Sequence, residues 1–191
     1  MKRSICRRAA WLSLALLLFS PAAPAQKRDH LTDAESELIR FYRELDKRVE
    51  IFIKAADRRF AIINGTPQPS TKKFLKDEPD WGEPPKGTRT ELLSDIAGIL
   101  DEAITNVDDV SRRDEKNPMV SRALKKLSTA ANGYAAQLPA LRNKTTDPDE
   151  IAALERVADN VTQIMEASGK VPAVPEVDQE KDKKKKNPGQ Y

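Results

Sequence analysis

The fold is decided by the segment from Thr32 to Asn64, which reads TDAESELIRFYRELDKRVEIFIKAADRRFAIIN. Its large apolar residues recur every three or four positions, a spacing that places them on one stripe of a single long helix. The stripe consists of Leu38, Tyr42, Leu45, Val49, Phe52, Ala56, Phe60 and Ile63. Thr32 and Glu35 form a predicted capping box at the start, and Asn64-Gly65 is predicted to end the helix. An apolar stripe of this length must be covered by other segments, so we expect a small helical bundle.

Three further amphipathic segments are predicted to cover that stripe, over about residues 90–112, 118–142 and 148–168. Thr88 with Glu91 is a second capping box, and Asn117-Pro118 and Asp147-Pro148 place proline where no N–H donor is needed. The predicted fold class is therefore all-α, a four-helix bundle over 32–169 with one long first helix over 33–63. The second, third and fourth helices are acidic, basic and acidic, and their connections are short. We therefore expect the basic helix to lie between the two acidic ones.

A long proline-rich connection is predicted over 65–87, because its five prolines cannot donate backbone hydrogen bonds. Phe74, Asp80 and Trp81 in this loop are candidates for contact with a ligand or partner. The alternative is that Phe74 and Trp81 fold back and cover the end of the long helix, as apolar loop residues commonly do. The acidic residues around Trp81 lack the oxygen spacing of a calcium loop, so no metal is predicted there.

Residues 1–25 have the pattern of a secretory signal, with four basic residues, an apolar run and small residues before Ala25. The apolar run has 11 residues, which is short of the roughly 20 that span a bilayer. We expect cleavage after Ala25 and a periplasmic or secreted protein, with 26–31 as a short N-terminal segment. The single cysteine, Cys6, lies in the leader, so the stability of the mature chain must come from packing.

The charge balance changes once the leader is set aside. The full chain has 33 basic and 30 acidic residues, but the body from Gln26 to Glu180 has 24 basic against 29 acidic. Such a body lacks the bulk basicity of a nucleic-acid-binding domain, so sequence-specific nucleic-acid binding is not predicted. The tail over 170–191 is predicted to be disordered. Its run Lys183, Lys184, Lys185 and Lys186 is either a weak contact for an anionic surface or a solvated terminus.

No catalytic constellation is found in the sequence. His30 is the only histidine, and its place before the first helix, where termini fray, makes it a predicted bystander. Thiol nucleophiles, serine–histidine triads, Glu-x-x-His motifs and phosphate-binding glycine loops are missing from the mature sequence, so neither a metal nor a cofactor is predicted. The second helix carries an acidic outer face that is a candidate interaction surface, formed by Glu91, Asp95, Glu102 and Asp109.

The stretch from Glu91 to Val110, ELLSDIAGILDEAITNVDDV, is followed by RALKKL from Arg122 to Leu127. Together they resemble a group of exported bacterial helical proteins that have no assigned activity. The resemblance covers most of the region from the first to the fourth helix. It implies an envelope or secreted setting and transfers no site.

The sequence therefore predicts an exported, non-enzymatic binding or scaffolding module of the cell envelope, with an unidentified protein partner. One alternative is a polyanion or membrane-surface binder that acts through the lysine run of the tail. A second alternative is a hydrolase that uses paired carboxylates, such as Glu91 with Asp95 or Asp108 with Asp109, for acid/base chemistry. That chemistry requires burial or close pairing to shift their pKa values.

Overall fold

The computed structural model describes residues 28–66, 80–114 and 116–170. Across these ranges the chain forms five helices and no strand, which confirms the all-α class. The helices are α1 (Asp33–Phe41), α2 (Leu45–Ile63), α3 (Arg89–Arg113), α4 (Pro118–Arg142) and α5 (Pro148–Lys170). The predicted leader, most of the proline-rich loop and the predicted tail beyond Lys170 lie outside the described residues. None of the five helices has the length and hydropathy of a membrane span.

The predicted long first helix is wrong: the segment forms two helices that fold back on each other. α1 ends at Phe41, the backbone is extended at Tyr42 and at Glu44, and α2 begins at Leu45. The stripe keeps its three-or-four spacing across this turn, so periodicity alone gives no sign of the break. In one straight helix Glu35 and Arg59 would lie about 36 Å apart. In the hairpin their side chains form an ion pair at 2.9 Å.

The helices α2 to α5 form a four-helix ring, and α1 packs on α2 outside it, so the predicted four helices become five. α2 and α5 each pack against both α3 and α4, whereas α3 and α4 have a smaller contact across the diagonal. The expectation that basic α4 separates the acidic helices is therefore wrong, because α3 and α5 are direct neighbours. Surface ion pairs are worth only about 0–1 kcal/mol each, so the apolar seams select the neighbours.

Polar contacts between helices fix their relative directions. Along α2 and α4, Asp46 binds Lys126 near the start and Asn64 binds Gln137 near the end, so these two helices are parallel. α3 and α5 are also parallel, since Asn160 donates to the Ala97 carbonyl and Arg156 donates to Ser94 one turn earlier on each helix. The long connection leaves α2 and α3 antiparallel, a direction that the sequence did not determine.

The core lies between these four helices and contains most of the predicted stripe. Its stripe members are Leu45, Val49, Phe52, Ala56 and Phe60, all buried, while Leu38, Tyr42 and Ile63 are partly buried. Phe60 stacks on Tyr134 with ring centroids 4.8 Å apart. The buried Tyr134 hydroxyl donates to Asp57 at 2.8 Å, and its oxygen lies 3.2 Å from the Ile53 carbonyl oxygen. The Tyr134 hydroxyl therefore has a hydrogen-bond partner within the core, as buried polar groups require.

Candidate functional site

A buried charge network joins α1 to α2. Glu35 has 0% exposure and Arg59 has 1%. The Glu35 carboxylate accepts hydrogen bonds from Arg58 at 2.7 Å and from two Arg59 nitrogens at 2.9 and 3.0 Å. It also accepts the backbone N–H of Thr32 at 2.9 Å, which completes the predicted capping box. One carboxylate therefore caps α1 and pairs with two arginines of α2.

The same network continues into α3. The Arg59 Nε atom lies 3.5 Å from Asp95 Oδ2, and Arg28 Nη2 lies 2.9 Å from the same oxygen. The second Arg28 nitrogen pairs with Glu91 at 3.1 Å. Burial raises the pKa of Asp95 despite the charges of the two arginines. Asp95 therefore occupies a place where a carboxylate charge is costly without its cationic neighbours.

The residues 28–31, which we call the strap, lie across α3. A Cβ atom placed on Gly98 would come within 2.9 Å of the His30 ring, so the ring occupies space that only glycine leaves free. His30 Nε2 hydrogen-bonds to Glu102 at 2.8 Å, and the His30 carbonyl accepts from Arg59 at 2.6 Å. The expectation that the chain frays at His30 is wrong, because these contacts hold the strap against α3. The absence of a chemical role for His30 stays a prediction.

A groove of about 830 Å³ runs between α3 and α5 and is bounded by the strap. Three of the four residues predicted as an acidic interaction face, Glu91, Asp95 and Glu102, line it, whereas Asp109 does not. Asp109 lies farther along α3, 4.0 Å from Arg112. The remaining groove residues are Arg28, His30, Thr90, Ser94, Ala97, Gly98, Asp101, Thr105, Arg156, Asp159 and Asn160.

The five carboxylates of the groove fall into two groups. Glu91, Asp95 and Glu102 are bound within the protein, by Arg28 with Thr88, by Arg28 with Arg59, and by His30 respectively.

Asp101 on α3 and Asp159 on α5 are exposed and have no side-chain partner within the described ranges 28–66, 80–114 and 116–170. The sequence gives no sign of Asp159 as a site residue, because it joins the groove only through the α3–α5 contact. Asp101 lies on the acidic face of α3 but was not among the four residues predicted as contacts. These two carboxylates are the groove charges left available to a bound molecule.

Trp81 packs against α2. Its ring lies 5.7 Å from Lys54 Nζ and 5.6 Å from the Arg58 guanidinium carbon, and Arg58 donates to the Trp81 carbonyl at 3.0 Å. These contacts match the packing interpretation, while a role for Trp81 and Asp80 in ligand contact stays a prediction. Asp80 accepts the Gly82 N–H at 2.8 Å. Phe74 and the lysine run 183–186 lie outside the described residues.

The carboxylate pair Glu91 and Asp95 bears on the hydrolase alternative. A hydrogen bond from the Thr88 backbone lowers the pKa of Glu91, while burial raises the pKa of Asp95. Opposed shifts are typical of acid/base pairs, but here Arg28 binds both carboxylates and occupies the space between them. Within the described residues, moreover, no group of three His, Cys, Asp or Glu side chains is arranged to hold a metal ion.

Comparisons with protein-family models, curated proteins and solved structures give no match to this chain. No residue role can therefore be carried over from a relative.

Proposed function

We propose that this chain is an exported, non-enzymatic binding module whose contact surface is the groove between α3 and α5. The partner is a protein that presents a basic peptide segment. The observation that carries the proposal is the pair of exposed carboxylates, Asp101 and Asp159, which line the groove from two different helices without partners of their own among the described residues.

The shape of the groove favours an extended peptide. Its lining on α3 runs from Thr90 to Thr105, about 22 Å at 1.5 Å per residue. About six or seven residues of extended chain cover that length at about 3.3 Å each.

The charge of the groove selects the chemistry of the partner. Five carboxylates and two arginines line it, so its net charge is negative. Lysine or arginine side chains of a bound segment would pair with Asp101 and Asp159, while an acidic segment would be repelled. Arg28 and Arg156 would set the register, because a basic residue beside either of them is disfavoured.

The groove is also held in one shape before binding. His30 fills the space at Gly98, and Arg28 joins the strap to Glu91 and Asp95. A surface that is already ordered loses less conformational entropy on association. The export setting is proposed on the leader pattern of residues 1–25, and a scaffolding role would follow from the partner that the groove holds.

Fluorescence anisotropy with a labelled hexalysine peptide tests this proposal. The variant Asp101→Asn/Asp159→Asn removes the two unpaired charges. The matched control, Asp108→Asn/Glu166→Gln, changes exposed carboxylates of the same two helices that do not line the groove. Two exposed ion pairs contribute about 0.4–2 kcal/mol, which is about 2- to 30-fold in Kd. We expect that loss for the groove variant alone, and equal Kd values for both variants would refute the proposal.

A further inference from the structure

We propose that the lysine run Lys183–Lys186 of the same chain occupies the α3–α5 groove and competes there with the basic partner. This inference rests on the proposed function, because it names a regulator of the same groove. It makes the C-terminal segment an internal mimic of the ligand.

Charge complementarity is the first argument. The groove offers Asp101 and Asp159 without partners among the described residues, together with three further carboxylates. Four consecutive lysines form the densest positive run that follows Glu180 in the sequence. A segment of this charge meets the same requirement as the proposed partner: it places ammonium groups on both walls of the groove.

The length of the connecting segment is the second argument. α5 ends at Lys170 and Asp159 lies eleven residues before that end, so the groove is about 16 Å back along the helix. Lys183 is the thirteenth residue after Lys170. A flexible chain of that length has a root-mean-square span of about 20 Å and an extended reach of about 43 Å. The root-mean-square span therefore matches the distance that the segment must cover, and the extended reach exceeds it.

The strength of the competition depends on how well the span of the connecting segment matches the distance from the end of α5 to the groove. A short connection that fits its span gives an effective concentration in the millimolar range. If the lysine run binds with a Kd of about 1 mM, it occupies the groove about half of the time, and the apparent affinity for a free basic peptide falls about twofold. Lower salt strengthens the contact, because exposed charges are screened over about 10 Å at 0.1 M.

Hexalysine anisotropy on the full chain tests the competition with four proteins. They are wild type, a tail variant with Lys183, Lys184, Lys185 and Lys186 changed to Gln, the groove variant Asp101→Asn/Asp159→Asn, and the combination of both. We expect the tail variant to bind about 2- to 10-fold more tightly than wild type, with the larger gain at low salt. When the groove variant is the starting protein, the same tail change should give no gain in hexalysine affinity. That result would exclude general repulsion between the tail lysines and hexalysine as the cause of the gain.

Zero-length carbodiimide cross-linking provides a second readout. It joins a lysine only to a carboxylate in contact with it. We expect peptides that link Lys183–Lys186 to Asp101 or Asp159 in the monomer fraction, at a yield independent of protein concentration. Links found only in dimers would overturn the intramolecular contact.

The two proposals fail in different ways. A groove variant that weakens hexalysine binding, combined with a tail variant identical to wild type, would overturn the competition and leave the groove as a binding site. A groove variant that binds like the control Asp108→Asn/Glu166→Gln would overturn the proposed function and this inference together.

Discussion

Replacing Glu35 with alanine should remove a large part of the folding free energy. The change leaves Arg59, which is 1% exposed, without the carboxylate that lies 2.9 Å away, and leaves Arg58 without its partner at 2.7 Å. Breaking a buried ion pair by removing one partner costs about 3–5 kcal/mol. The lost acceptor for Thr32 adds about 1 kcal/mol. Since domains are stable by only about 5–15 kcal/mol, the variant should be near the limit of folding.

Urea unfolding followed by far-ultraviolet circular dichroism measures this loss. We expect a lower transition midpoint with an unchanged m value, because the surface exposed on unfolding stays the same. The control is Glu83→Ala, which breaks an ion pair with Lys86 whose side chains are 79% and 82% exposed. Solvent screens exposed pairs of this kind, so the control should unfold close to the wild-type midpoint.

A loss of unfolding free energy below about 1.5 kcal/mol in Glu35→Ala would contradict a large contribution from the buried ion pairs, since the lost helix cap alone would then explain it. The double variant Glu35→Ala/Arg59→Met gives an independent check. It removes the stranded charge of Arg59, so it should be more stable than Glu35→Ala, whereas independent contributions would make it less stable.

Three further predictions concern the strap and the partly buried carboxylates. Gly133→Ala, at a helical position with nothing within 4 Å, should raise stability by about 0.5–1 kcal/mol; Gly98→Ala should give no such gain and should shift the NMR signals of the displaced His30. The Lys126 hydrogen bonds and charge outweigh burial and lower the pKa of Asp46 and Glu50 below their ordinary 3.8 and 4.5. The two carboxylates therefore stabilise the fold above pH 3.8 and 4.5, and this stabilisation is lost as pH falls through the lowered pKa values. Lys126→Met should accordingly cost about 1 kcal/mol of folding free energy at neutral pH and almost nothing once both carboxyls are protonated. Asp95 has the opposite sign, because burial raises its pKa above 3.8. Its contribution to the folding free energy is therefore present below 3.8 and is lost as pH rises through the raised pKa, so wild type should lose stability relative to Asp95→Asn over that interval in urea titrations.

Helix content and the starts of α1, α3 and α4 could be read from the sequence. The capping boxes at Thr32 and Thr88 and the Asn117-Pro118 start are present in the structure as predicted. These features depend on residues within one turn of each other, so local sequence determines them. The amphipathic stripes of α3, α4 and α5 depend equally on short spacings.

The hairpin, the helix order and the groove could not be read from the sequence, because they depend on contacts between distant residues. The turn at Tyr42–Glu44 leaves the apolar period unchanged, so only the buried pair between Glu35 and Arg59 distinguishes two helices from one. Likewise Asp159 becomes a neighbour of the α3 carboxylates only because α3 and α5 pack together. The acidic face was therefore predicted from α3 alone, which included Asp109 and omitted Asp159.

The attachment of α1 has a consequence for how the molecule opens. α1 has nine residues, and an isolated helix shorter than about 12 residues is marginal in water. Detaching α1 alone would leave Arg59 facing a vacated, partly apolar surface with Asp95 as its nearest anion. Fraying of α1 is thereby coupled to the loss of order in α2. Amide hydrogens of this short helix should exchange with solvent by the same cooperative opening as those of α2, instead of independently like an ordinary chain end.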